Sequence, residues 1–187
     1  MKRLLPLFFL ALVILFTGCK PQTANEHYTV VAPASLTPGD AIPAPTGDPI
    51  LTVSGQIGVT NAGDTLVLDM ATLEKFGLVE YAVNDPWLNA KNTYQGVLLS
   101  EFLKFVDASD TATTLKIIAL DDYAVDITIT DIKKWPVLLA TQTNGAYMTI
   151  ENNGPTRVIF PYDFYPEIDQ LTYKDLWVWN IASMEIK

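Results

Sequence analysis

Any chemistry in the body of this chain must be done without imidazole or thiolate. The single histidine is His27 and the single cysteine is Cys19, and both precede the region patterned like a folded domain. A Ser-His-Asp triad needs an imidazole as its base, and zinc sites draw on His and Cys. Residues 50–187 can build neither, and the chain has no second cysteine for a disulfide. Carboxylates and rings remain. Asp121 and Asp122 are adjacent, which suggests paired-carboxylate catalysis, but neighbouring side chains in an extended segment point to opposite faces. Two aspartates between β-rich runs also make a good turn. A single carboxylate facing an aromatic slot has another use: it accepts two parallel hydrogen bonds from the amino edge of a guanidine-like or pterin ring.

The rings are unevenly placed. Trp87, Tyr94, Tyr123, Trp135, Tyr162, Phe164, Tyr165, Tyr173, Trp177 and Trp179 fall in loops and at strand ends, and each taken singly reads first as core packing. The segment Phe160-Pro161-Tyr162-Asp163-Phe164-Tyr165-Pro166-Glu167 sets four aromatics beside two acids and two prolines. It is expected to form a proline-stiffened irregular loop, suited to a flat slot with hydrogen-bonding walls. No G-x-G-x-x-G or Walker pattern for nucleotide phosphates is present.

The elements that must position these groups follow from periodicity. Strands are expected over Ile50–Ser54, Thr65–Leu68, Leu78–Val83, Val137–Thr141 and Arg157–Phe160. Asp69 is placed to cap a short helix with Leu73 and Phe76 on its buried face, and Ser100–Val106 has helical spacing. Leu115–Leu120 and Tyr123–Ile129 read as a hairpin about Asp121-Asp122. Asp131–Trp135 is a helical turn stopped by Pro136, and Leu176–Ile186 reads as one long closing strand. Many strands with few short helices predict a β-rich α+β single domain over 50–187.

The N-terminal part is different. Met1-Lys2-Arg3, a run of apolar residues to Phe16 and then Thr17-Gly18-Cys19 describe a secretory signal, too short for a spanning helix of roughly 20 apolar residues. Leu15-Phe16-Thr17-Gly18-Cys19 resembles a bacterial lipobox, which implies lipidation at Cys19 after loss of residues 1–18; an ordinary cleaved signal is the alternative. Residues 19–49 are rich in Pro, Ala, Thr and Gly and read as a flexible tether, spanning on the order of 30 Å. Loss of Lys2 and Arg3 leaves 10 basic against 21 acidic side chains, a net charge of −11 with His neutral. Such a surface repels phosphate backbones and argues against nucleic acid as a partner.

Several motifs then resemble one family in the right order. Tyr94-Gln95-Gly96-Val97-Leu98-Leu99 ahead of a helix resembles the aromatic-x-Gly-Val-x-Leu entry of the sulfite-oxidase-type molybdopterin-binding fold, and Trp177 to Ile186 resembles its last strand. Ala119 to Ile127, Pro136 to Ala140, Gly154-Pro155 and Tyr162 to Glu167 are similar to a small molybdopterin-dependent-oxidoreductase-like branch. The enzymes of this fold hold molybdenum through a cysteine shortly before the Gly-Val segment; here Tyr81 to Trp87 contains none. The branch is similar to periplasmic pterin-binding regulators of membrane sensors with GGDEF and EAL domains.

The resemblance implies a lipid-anchored periplasmic accessory, with a pterin as ligand, no molybdenum, and a GGDEF/EAL-type membrane receptor as partner. Lys20 after the lipid-bearing cysteine resembles an outer-membrane address. The ligand-binding residues expected are Trp87, Asp122, Tyr123, Tyr165 and Trp177, with Asp122 as the edge acceptor. The competing readings are a molybdopterin-dependent oxidoreductase and a cofactor-free structural lipoprotein.

Overall fold

The burial pattern of the strands explains the architecture. In Thr114–Ala119 every second residue is buried, as period-two alternation requires of a strand with one face on a core. The computed structural model describes residues 27–168 and 170–187; the signal (1–18), Cys19 and Lys20 lie outside them. In chain order the strands are β1 (Thr29–Ala32), β2 (Pro49–Gly55), β3 (Leu66–Asp69), β4 (Leu78–Asp85), β5 (Ala90–Leu98), β6 (Thr114–Ala119), β7 (Ala124–Thr128), β8 (Leu138–Thr143), β9 (Ala146–Tyr147), β10 (Arg157–Ile159) and β11 (Ile181–Ile186). The helices are α1 (Met70–Leu73), α2 (Leu99–Phe105), α3 (Ile129–Lys134) and α4 (Gln170–Tyr173). This is the β-rich α+β domain expected.

The strands form two sheets. One has the order β1-β4-β5-β8-β10, with β9 added to β8; the other has the order β3-β2-β11-β6-β7. Pairing is antiparallel throughout except where β11 runs parallel to β2. Between β5 and β8 the backbones approach so closely at Gly96 that a Cβ there would lie 2.1 Å from the Leu139 carbonyl oxygen. Only glycine fits, which gives the glycine of the Tyr94-to-Leu99 motif a physical reason.

Local caps fall where the sequence puts them. The Asp69 side chain accepts from the Thr72 amide at the start of α1, and it also accepts from the Thr46 and Gly47 amides. The hydrogen bonds from Thr72 and from Gly47 hold its carboxyl down at about 2. Thr128 caps α3 by accepting from the Asp131 amide. Phe76 follows α1 and stacks on Phe105 of α2 with centroids 4.6 Å apart.

Two expectations are corrected. The described part of the segment read as a tether, residues 27–49, packs on the domain: β1 pairs with β4, Ile42 is buried, and His27 stacks on Phe164. Proline content hid this, because prolines flank β1 rather than interrupt it. The closing strand is also shorter than Leu176–Ile186. Lys174–Leu176 is a 3-10 turn, Asn180 has a left-handed φ of 52°, and β11 begins only at Ile181.

Candidate functional site

The irregular stretch Trp177–Asn180 lies along the junction of the two sheets. The Val178 carbonyl accepts from the Val158 amide of β10, and the Asn180 carbonyl accepts from the Leu120 amide beside the β6–β7 turn. Over this seam sits a cleft of about 260 Å³. Trp177, Val178 and Trp179 come from the seam itself, Ala119, Asp121 and Tyr123 from the end of the β6–β7 hairpin, Trp87 from the β4–β5 turn, and Asp175 from the preceding 3-10 turn.

Each wall is tied down. Trp87 Nε1 donates to the Lys174 carbonyl (3.0 Å) and its ring meets Trp179 edge to face at 5.6 Å. Tyr123 Oη donates to the Asp175 carbonyl (3.0 Å). Asp121 Oδ1 accepts the Tyr123 amide (3.1 Å), fixing the turn. Of the cleft's walls, Trp177 is buried, while Trp87 and Tyr123 are 44 % and 48 % exposed, and the Lys174 ammonium lies 5.4 Å from the centroid of the Trp87 ring.

Behind the cleft is a buried polar cluster. Period-two alternation in β4 puts Asp85 on the same inward face as Tyr81 and Val83. Its Oδ1 accepts the amides of Trp87 (2.8 Å) and Leu88 (3.0 Å). Its Oδ2 accepts Tyr94 Oη (2.5 Å) and pairs with Arg157 Nη1 at 2.7 Å. Arg157 Nη1 also donates to Tyr94 Oη (3.1 Å). Burial pushes the Asp85 carboxyl up, but the Tyr94 hydroxyl and the Arg157 charge together outweigh it and hold it below the usual range. Burial, together with the Asp85 carboxylate, raises the Tyr94 phenol. The guanidinium lies 5.5 Å from the Trp177 ring and 5.6 Å from that of Trp179.

Of the five expected ligand residues, the structure brings Trp87, Tyr123 and Trp177 together in the cleft. Asp122 is not among its lining residues. It occupies the turn position with φ 65° and donates its amide to the Ala119 carbonyl, and Asp121 is the aspartate at the cleft. Tyr165 is also elsewhere, against His27. The loop 160–167 is irregular, as expected, but its rings serve mainly as packing rather than as a slot: Phe160 and Tyr162 are buried, and Tyr162 backs Trp177 at 5.6 Å. Sequence reasoning missed Trp179 as a cleft wall, and Asp85 and Arg157 altogether. Two signals were available: Asp85 continues the inward alternation of Tyr81 and Val83, and Arg157 is the only arginine after Arg3.

The chain belongs to the family described as oxidoreductase molybdopterin binding domain, whose model matches residues 64–164. Its fold is similar to that in the crystal structure of the sulfane dehydrogenase SoxCD from Paracoccus pantotrophus, with a TM-score of 0.55 and 16% identity. The likeness covers 73% of this chain and 37% of that one, so the chain spans little more than a third of that relative's length. No curated protein matches the sequence.

The family implies a molybdenum-bearing pterin cofactor, and the cleft fits its two halves unequally. For the pterin half the lining offers aromatic rings and the Asp121 carboxylate. For the metal half, the lining offers carboxylates but neither thiolate nor imidazole, and among the described residues no cluster of three or more His, Cys, Asp or Glu is arranged to hold a metal. Arg157, the one arginine among the described residues, is committed to Asp85 rather than turned to a phosphate.

Proposed function

We propose that this domain binds a reduced pterin in the seam cleft without a metal, and that it acts as a sensory accessory rather than as an oxidoreductase. The observation that carries the reading is the juxtaposition of Asp121 with Trp87, Tyr123, Trp177 and Trp179 around about 260 Å³. Drug-sized ligand sites run from about 300 to 1,000 Å³, so a compact heterocycle suits this cleft better than an extended nucleotide cofactor. Asp121 Oδ1 is used by the Tyr123 amide, but a carboxylate oxygen has capacity for more than one donor. Oδ1 and Oδ2 together can therefore face the two parallel N–H groups of an aminopyrimidine edge, while the rings take its faces.

In this proposal Cys19 carries a lipid that holds the protein in the periplasm on a membrane, with Lys20 favouring the outer membrane, and a GGDEF/EAL-type membrane receptor reads the bound state. The lipobox-like Leu15 to Cys19 supports the anchor. Among the described residues no helix is long and apolar enough to cross a membrane. Cys19→Ser should abolish membrane fractionation of the mature protein; unchanged maturation and fractionation would refute the anchor.

The second reading, a molybdopterin-dependent oxidoreductase, is favoured by the family match over residues 64–164. One preparation separates the two: protein purified from a molybdenum-replete host, with elemental analysis and mass spectrometry of any co-purifying small molecule. A fluorescent pterin without stoichiometric metal supports the accessory. About one molybdenum per chain overturns it in favour of the enzyme.

A further inference from the structure

We infer that Asp85 and Arg157 are positioning residues for the cleft: one buried carboxylate fixes the turn that carries Trp87 and, through the guanidinium, sets the facing rings Trp177 and Trp179. The division of labour within the carboxylate is complete. Oδ1 takes the two amides of the turn at Trp87 and Leu88, and Oδ2 takes Tyr94 and Arg157. The guanidinium then lies within 5.7 Å of three rings, those of Tyr94, Trp177 and Trp179. Trp87 comes from the β4–β5 turn and Trp179 from the seam, almost a hundred positions away in sequence, yet their rings meet edge to face. The Asp85–Arg157 pair is the covalently unconnected link that sets both.

Stability alone does not account for the pair. A buried ion pair is often no better than apolar residues of the same volume, because both charges must be desolvated. Here Nε and Nη2 of Arg157 and Nε1 of Trp177 are buried and meet no hydrogen-bond partner among the described residues, which adds to that cost. What the pair supplies instead is geometry: a flat cation of fixed orientation, held at one end by a carboxylate whose other oxygen is fixed to the turn. A cleft whose walls are set before the ligand arrives loses less affinity to ordering them. For ligand binding the inference rests on the pterin reading above; the arrangement of the tryptophans does not.

Arg157→Lys tests it. Lysine keeps the charge opposite Asp85 but lacks the plane that spaces the rings. The readouts are the exciton signal of the Trp87–Trp179 pair in circular dichroism and calorimetric titration with dihydrobiopterin. Arg157→Lys should fold, lose the tryptophan couplet and weaken dihydrobiopterin binding by about tenfold or more, equivalent to ~1.4 kcal/mol. Leu66→Ala, a core truncation in β3 at the far edge of the second sheet, should lower stability while leaving couplet and affinity in place. An Arg157→Lys protein with wild-type couplet and affinity would reduce the pair to a structural staple and overturn the inference. If Arg157→Lys does not fold, Tyr94→Phe, which removes one hydroxyl from the network, should change both readouts in the same direction; no change there also overturns it. If the wild type fails to bind dihydrobiopterin, the pterin reading falls, and the couplet alone decides the positioning role.

Discussion

Asp121→Asn and Asp122→Asn, made separately, place the two aspartates of the β6–β7 turn in direct competition for the ligand edge. Asparagine keeps one acceptor oxygen, so in Asp121→Asn the bond from the Tyr123 amide survives and the turn is retained. The other oxygen becomes an amino group, which meets an incoming N–H with its own N–H. One hydrogen bond to a charged acceptor is lost, worth about 1.5–3 kcal/mol, so the dissociation constant for dihydrobiopterin should rise roughly 10- to 150-fold at ~1.4 kcal/mol per decade. Asp122 has φ 65°, a left-handed conformation that asparagine adopts as readily as aspartate, and it does not line the cleft. Asp122→Asn should therefore bind as the wild type does and melt at the same temperature. Isothermal titration calorimetry of the three proteins measures the difference. Equal dissociation constants for wild type and Asp121→Asn, or a loss confined to Asp122→Asn, would refute Asp121 as the edge acceptor.

Other consequences of the fold can be tested without a ligand. Gly96→Ala forces a methyl against the Leu139 carbonyl and should cost about 1–3 kcal/mol, lowering the melting temperature in a calorimetric scan; an unchanged value would mean that the β5–β8 approach is looser than described. Asp69→Ala should cost about 0.5–2 kcal/mol through the lost cap. Because the folded-state pKa of Asp69 is depressed to about 2, its contribution is complete above about pH 4 and is lost as pH falls towards 2. Denaturation at several pH values should therefore show wild type and variant converging in acid, and a gap that persists at pH 2 would contradict the assigned cause. A chain beginning at residue 50 lacks β1, buried Ile42 and the Thr46 and Gly47 amides on Asp69. It should melt lower than one beginning at residue 27, and equal melting temperatures would mean that this segment contributes nothing.

Most of the strand layout was legible because it is local. The hairpin read over Leu115–Leu120 and Tyr123–Ile129, the Asp69 cap and the turn chemistry of Asp121-Asp122 act within a few residues, and the structure contains all three, with the strands at Thr114–Ala119 and Ala124–Thr128. The misreadings arise where long-range pairing overrides local signals. β1 is short and its Val30 and Val31 are exposed, so it has no buried face for a pattern to announce; it is a strand because the edge of β4 is available. Trp177 to Asn180 alternates like a strand but bends at the left-handed Asn180, since this segment must pass from β10 in one sheet to β11 in the other. For the cleft, ring type and loop position singled out Trp87, Tyr123 and Trp177. The choice between Asp121 and Asp122 depends on which residue takes the left-handed turn position, and a dipeptide of identical residues carries no such information. Asp85 was hidden by its chemistry, because a carboxylate at a core-facing strand position makes sense only once Tyr94 and Arg157, both distant in sequence, are beside it.

The location of the cleft has its own consequence. No single sheet owns it: Trp87 belongs to the turn between β4 and β5, Asp121 and Tyr123 to the hairpin of the second sheet, and Trp177 to Trp179 to the strand-like seam hydrogen-bonded to both. A flat molecule held between Asp121 and the ring of Trp87 would therefore bridge the two sheets beside the backbone contacts that join them, the isolated Arg157–Trp179 bridge and the bonds Val158 to Val178 and Ile181 to Thr156. Binding of this kind stabilises the folded chain by mass action, by about 2.7 kcal/mol when free ligand is a hundredfold above its dissociation constant, and it does so at the seam rather than within either core. Polar fixation of the empty walls through Asp85 and Arg157 and cross-bracing by the ligand then act on the same few residues. On the proposed accessory reading, occupancy would change how firmly the two sheets are joined, a difference that a partner surface spanning the seam would read without contacting the ligand.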